Sequence, residues 1–233
     1  MTLRFGSILL AAALLATFPC AAETPALEMF RVQLVMLKTG PDAAPPAPDD
    51  PRQAEHLAGL ERLVREGKAL IVGPIEGDPT LRGLAVLDVE TREAAEALLA
   101  ADPWLKSGHL VAEYRTWYTA KKLFQPLTGA FLDVEPATFA LLVRPPDAPT
   151  YSSDELAEIQ QAHLANIVKL AEAGELLIAG PFVEDTRLRG VLIFKSTDRA
   201  QIAQWVGADL AVQKKRLALE PYTWWVSKGV LPK

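Results

Sequence analysis

Three histidines are the side chains of this chain best suited to carry a proton near neutral pH, and two of them, His56 and His163, sit in text that repeats. "HLAGLERLVREGKALIVGP" at residues 56–74 is answered by "HLANIVKLAEAGELLIAGP" at 163–181. Each is a histidine, a glycine stop and a short apolar run ending in Gly-Pro. A histidine placed so can serve as general acid or base. Both also border an apolar helical stripe, at helical spacing from Leu60 and Ile167, where a packed, hydrogen-bonded histidine would be written the same way. The third, His109, has Arg216 as its counterpart and reads as a surface residue.

Other residues carry chemistry less specifically. Arg82 and Arg189 each precede a strand glycine and could hold an anionic substrate, or be solvated turn arginines. Glu113 and Glu220 share a strand face with Trp117 and Trp224, a set that could line a barrel cavity; the plainer reading pairs Glu113 with Arg31 or another cross-strand cation. Gly73-Pro74 and Gly180-Pro181 read as strand ends rather than phosphate cradles. Cys20 is the only cysteine, so a thiolate or mixed zinc site is not expected.

The elements that must position these residues come in two sets. The shift that lays His56 on His163 also lays Gly67 on Gly174, Leu81-Arg82-Gly83 on Leu188-Arg189-Gly190, Asp102 on Asp209, Glu113 on Glu220 and Thr116-Trp117 on Thr223-Trp224, without a gap. The chain is an internal duplication, with halves at about 28–120 and 136–228 and a connector at 121–135. Each half reads as strand, helix, strand, strand, helix, strand, opening with "FRVQLVMLK" in one and "TFALLVR" in the other. That order predicts a ferredoxin-like α+β unit made twice. Both helices of such a unit cover one sheet face and leave the other to be covered. In the closing strand Leu110, Ala112 and Tyr114 point one way and Val111, Glu113, Arg115 and Trp117 the other. Because "TFALLVR" is apolar on both sides, the two sheets are expected to pack together as a pseudo-dimeric α+β barrel. The "TGPDAAPPAPDD" stretch, 39–50, reads as a surface loop.

The ends and the composition set the setting. With 233 residues, 50% hydrophobic and 23% charged, the chain can bury a substantial core. A net charge of -5 with scattered cations gives no footprint for nucleic acid. Arg4, the run "SILLAAALLATF" and "PCAAE" read as a signal peptide, residues 1–22, with cleavage after Ala22 and export, to the periplasm if the source is bacterial. An uncleaved anchor is the runner-up reading; Pro19 before Cys20 disfavours a lipid anchor. After cleavage no membrane attachment is expected, and the mature chain has no cysteine for a disulfide. The duplication supplies internally what a second subunit would, so a monomer is expected.

A helical histidine, then "GxLLxxGP", "LRGxxV", a helix ending in Ala-Asp-Pro and a strand closing on Trp together resemble the YciI-like (YCII-related) family, here as two tandem copies. The resemblance implies a dimeric α+β barrel in which a His and an Asp form a proposed active-site pair. Carried over, these are His56 with Asp102 and His163 with Asp209. The first half keeps Asp102-Pro103, whereas Leu210 stands in the proline place of the second, so His56 as general acid or base with Asp102 orienting it is the pair expected to act, and the second half is expected to hold a weakened copy of the site. The broader family includes a chlorinated-aromatic dehydrochlorinase, and its barrel is similar to that of muconolactone isomerases. The reaction this implies is a cofactor-free lyase or isomerase step on a small molecule; the alternative is a non-catalytic binding or scaffold protein. Geometry sets a condition on the pairing. His56 lies about 15 Å of axial rise before its helix ends, while Asp102 is expected at the close of the second helix. Contact therefore requires staggered helices or a loop that folds back, and an Asp that instead caps backbone amides would be structural.

Overall fold

The computed structural model describes residues 28–43, 47, 49–184 and 186–233; the expected signal peptide and Cys20 lie outside the described residues. The first half runs β1 (Phe30–Thr39), α1 (Pro51–Arg65), β2 (Ala69–Pro74), β3 (Leu81–Leu87), α2 (Arg92–Leu99), α3 (Pro103–Lys106) and β4 (Leu110–Thr119). A 3-10 turn at Lys121–Leu123 opens the connector. The second half repeats the order as β5 (Val134–Val143), α4 (Ser153–Glu172), β6 (Leu176–Pro181), β7 (Leu188–Phe194), α5 (Arg199–Gly207), α6 (Leu210–Gln213) and β8 (Ala218–Ser227). Each half forms a four-stranded antiparallel sheet, ordered β2-β3-β1-β4 and β6-β7-β5-β8. This is the ferredoxin-like α+β unit made twice.

Local chemistry starts and stops the helices. Asp50 caps α1 by accepting from the Arg52 N–H, with Pro51 first in the helix. Ser152 and Glu155 form a reciprocal capping box at α4, Thr91 caps α2 and Asp198 caps α5. Gly67 and Gly174 end α1 and α4 at φ of 68° and 71°, a left-handed conformation that an L side chain resists. Helix α4 is longer than α1 at its N-terminal end, 20 residues against 15. Two short helices, α3 and α6, are not anticipated by the sequence reading, although Asp102-Pro103 is a helix-start signal.

The sheets face each other across one shared core. Val32, Leu34, Met36 and Trp117 from the first half meet Phe139, Leu141, Ile193 and Trp224 from the second, all almost fully buried. Two separate clusters lie between each sheet and its helices. The space between the sheets is thus filled by side chains, Trp117 and Trp224 among them, which removes the expectation that these tryptophans line a cavity there. Glu113 pairs with Lys38 across the strand pair and with Arg115, not with Arg31, while Glu220 pairs with Arg187.

Gly-Pro has a structural explanation in the way the barrel closes. The edge of β2 meets β8, and the edge of β4 meets β6, through Glu76 N–H to Thr223 O and Val183 N–H to Thr116 O, both 2.9 Å. Trp117 Nε1 donates to Gly180 O at 3.0 Å, and Trp224 Nε1 donates to Gly73 O at 3.1 Å. A Cβ at Gly73 would lie 1.9 Å from Trp225 O, and one at Gly180 would lie 2.0 Å from Tyr118 O. Only glycine lets the backbones approach this closely, and each buried indole N–H finds its acceptor at that point. The repeated "GP" is the seam between the halves.

Candidate functional site

The structure brings both histidine and aspartate pairs together. His56 Nδ1 lies 2.6 Å from Asp102 Oδ2, and His163 Nδ1 lies 2.6 Å from Asp209 Oδ2. Contact is possible because each aspartate belongs to neither long helix. Helix α2 ends at Leu99, and Asp102 is the N-cap of the separate short helix α3, so the chain folds back toward α1. Asp102 Oδ1 accepts from Trp104 N–H at 2.9 Å and Leu105 N–H at 3.1 Å, and Asp209 Oδ1 accepts from Ala211 N–H at 2.8 Å. The carboxylate is both a helix cap and a histidine partner. One oxygen is fixed by backbone and the other fixes the imidazole.

That arrangement defines the electrostatics. Burial pushes the Asp102 carboxyl up, but the hydrogen bond and charge of His56 and the backbone N–H groups of Leu105 and Trp104 outweigh it, leaving the acid below its ordinary range. Asp209 is lowered in the same way, against burial, by His163, Ala211 N–H and the side chain of Asn166. An ionised acceptor at Nδ1 assigns the Nδ1–H tautomer and leaves Nε2 as the nitrogen that can take or return a proton. His163 and His56 are both buried, so neither is a freely hydrated imidazole.

Their surroundings differ. His163 lines a cavity of about 580 Å³ that runs between α4 and the β6 edge of the second sheet. This is within the volume range of small-molecule sites. Its floor is apolar, with Ile167, Leu176 and Val191, while Arg144, Arg189, Arg216, Gln160 and Tyr151 also line it. A smaller cavity of about 380 Å³ between α1 and the α2–α3 turn touches Asp102 but not His56. In the first half Trp104 fills space beside α1, lying against His109 with ring centroids 3.9 Å apart and planes tilted by 41°, and under Arg52 at 5.0 Å. His109 is therefore half-buried rather than a surface residue, and burial, then the Arg52 charge, lowers its pKa. The residue in the place of Trp104 is Ala211.

The two predicted arginines part company as well. Arg82 is exposed and donates to Asp78 O at 3.3 Å, the solvated turn arginine. Arg189 is half-buried and lines the large cavity, donating to Thr186 O at 3.3 Å. Sequence reasoning missed Arg144, Arg216, Gln160 and Tyr151; the available signal was Arg216 standing where the first half has His109. Among the described residues no three metal-ligating side chains converge. Among the residues lining the cavity, His163 alone offers an imidazole to a metal-centred cofactor.

Fold and paired histidines define a class first: a dimeric α+β barrel closed within one chain. Residues 32–118 match the YCII-related domain, so the first half carries one such domain. No curated protein matches the chain. Among solved structures, a chlorite dismutase candidate is similar at 10% identity and a TM-score of 0.55, covering 85% of this chain and 95% of its own. A chlorite dismutase variant from Candidatus Nitrospira defluvii is similar at 12% identity and a TM-score of 0.54, covering 84% of this chain and 90% of its own. At these identities the likeness is one of fold.

Proposed function

We propose that the chain is an exported tandem YciI-like protein, its second half a further copy of the domain, and that the second half is a cofactor-free lyase or isomerase site for a small molecule. The observation that carries this reading is that, of two equally well-formed His–Asp pairs, only His163 opens onto the large cavity. His163 Nε2 takes a proton from an acidic C–H of the substrate, while Asp209 holds the ring and stabilises the imidazolium. The electron pair left on carbon forms a double bond, and the proton is returned at another atom or accompanies a leaving group. In the first half His56 and Asp102 tie α1 to α3 and serve stability. Among the described residues no helix is long and apolar enough to cross a membrane. The N-terminus of the exported protein, read by mass spectrometry, should then be Glu23.

The catalytic test uses the mature protein and follows solvent deuterium entering muconolactone and phenylpyruvate by NMR. His163→Gln should abolish exchange in a protein that still folds, and His56→Gln should leave exchange in place; both should lower the unfolding temperature, because each leaves a buried carboxylate without its imidazole. Absence of protein-dependent exchange in the wild type, or equal exchange in His163→Gln, leaves the site as a binding pocket only.

A further inference from the structure

We infer that the cavity beside His163 takes an aromatic monocarboxylate, ring inward and carboxylate toward Arg144 and Arg216; this deepens the reading of that cavity as the working site. The inference rests on a break in the internal symmetry of the described residues. In the first half the connector covers the position equivalent to the cavity: Phe131 joins the buried cluster of Leu60, Leu63, Val64, Ala69 and Val72, and Arg65 donates to Gly129 O at 3.4 Å. In the second half the counterparts of Leu60, Val64, Ala69 and Val72 are Ile167, Ala171, Leu176 and Ala179, and these line the open cavity. The chain itself thus shows what fits against such a surface. It is a phenyl ring.

The other end of the cavity supplies charge. Strand pairing sets Val143 opposite Leu188 and Ala218, as Lys38 is set opposite Leu81 and Val111, so Arg144 occupies the place of Thr39. Arg216 occupies that of His109. Both guanidinium groups are special to the second half, and they gather with Arg189 at the end of the sheet where β5 finishes and β7 and β8 begin. No carboxylate is among the described residues that line the cavity. Such an apolar pocket with a cationic rim favours an anionic head on an apolar body. His163 lies on α4 between Gln160, which accepts from Arg216 at 3.4 Å, and Ile167, and so between head and ring.

Titration calorimetry with hydrocinnamate and its neutral amide tests this. Hydrocinnamate should bind, the amide about tenfold or more weaker, and the Arg144→Gln/Arg216→Gln double variant should lose about tenfold for the acid and nothing for the amide. Ala171→Phe, an exposed position that supplies the ring Phe131 provides in the first half, should fold and exclude both. His163→Gln should retain binding. Equal affinity for acid and amide, no binding at millimolar concentration, or unchanged binding in folded Ala171→Phe overturns the inference. Binding with no proton exchange sinks the catalytic reading alone, whereas exchange with no preference for the anion sinks this one alone.

Discussion

A carboxylate that caps a helix with one oxygen and holds an imidazole with the other is a small device for fixing a tautomer, and it occurs here twice. Its pH dependence follows from the lowered acids. The folded-state pKa of Asp102 and Asp209 lies below the ordinary 3.8. Such a group contributes stability that is fully present above the unfolded value and is lost as pH falls through 3.8 toward the folded one. Urea unfolding between pH 3 and pH 6 should therefore show wild-type stability falling on the acid side, with a shallower fall in Asp102→Asn/Asp209→Asn. At pH 7 that double variant should be less stable by about 1–3 kcal/mol per site, the range for unpairing a buried polar group. Parallel curves for the two proteins would show that the pairs do not set the acid limb. Nitrogen NMR of the two imidazoles adds a direct reading: the Nδ1–H form should dominate near pH 8 in the wild type and lose that dominance in the asparagine variants.

Helices and strands were legible to different depths, and the reasons are physical. Periodicity, caps and glycine stops marked α1, α4 and every strand, because each is a local signal. The duplication placed the sheets back to back, because a ferredoxin-like unit leaves one face uncovered. What stayed hidden was α3, only four residues long; the fold-back that lets Asp102 meet His56 was one of two arrangements the sequence left open. The cavity was hidden too, since it depends on Phe131 of the connector covering one half while among the described residues no phenyl ring takes that place in the other. The seam glycines offer the sharpest check at this scale. Gly73→Ala and Gly180→Ala each force a Cβ into a carbonyl oxygen across the barrel and should destabilise by about 1–3 kcal/mol or more. Gly59→Ala, inside α1 with no atom within 4 Å of the added Cβ, should instead stabilise by about 0.5–1 kcal/mol. Denaturant midpoints with unchanged slopes would separate these cases, and a neutral Gly73→Ala would mean the edges can part without cost.

At the scale of the whole molecule, the inter-sheet core makes the halves one cooperative unit. Phe139 and Trp224 pack edge to face with centroids 5.7 Å apart on one side, and Trp117 packs on Phe124 at 6.2 Å on the other. Neither set of residues could be covered by its own half. The tail adds to the same core, with Val230 and Leu231 buried in it and Gln125 N–H donating to Val230 O at 2.8 Å. The intact mature chain should therefore unfold in a single transition, with tryptophan fluorescence and circular dichroism coincident, and run as a monomer by light scattering. A fragment ending at residue 123 would expose Val32, Leu34, Met36 and Trp117, an apolar face that must be covered by a second copy. It should appear as a dimer or as aggregate. A folded monomeric fragment would show that the halves are independent domains joined by a linker, and the duplication would then have doubled a domain without completing a barrel.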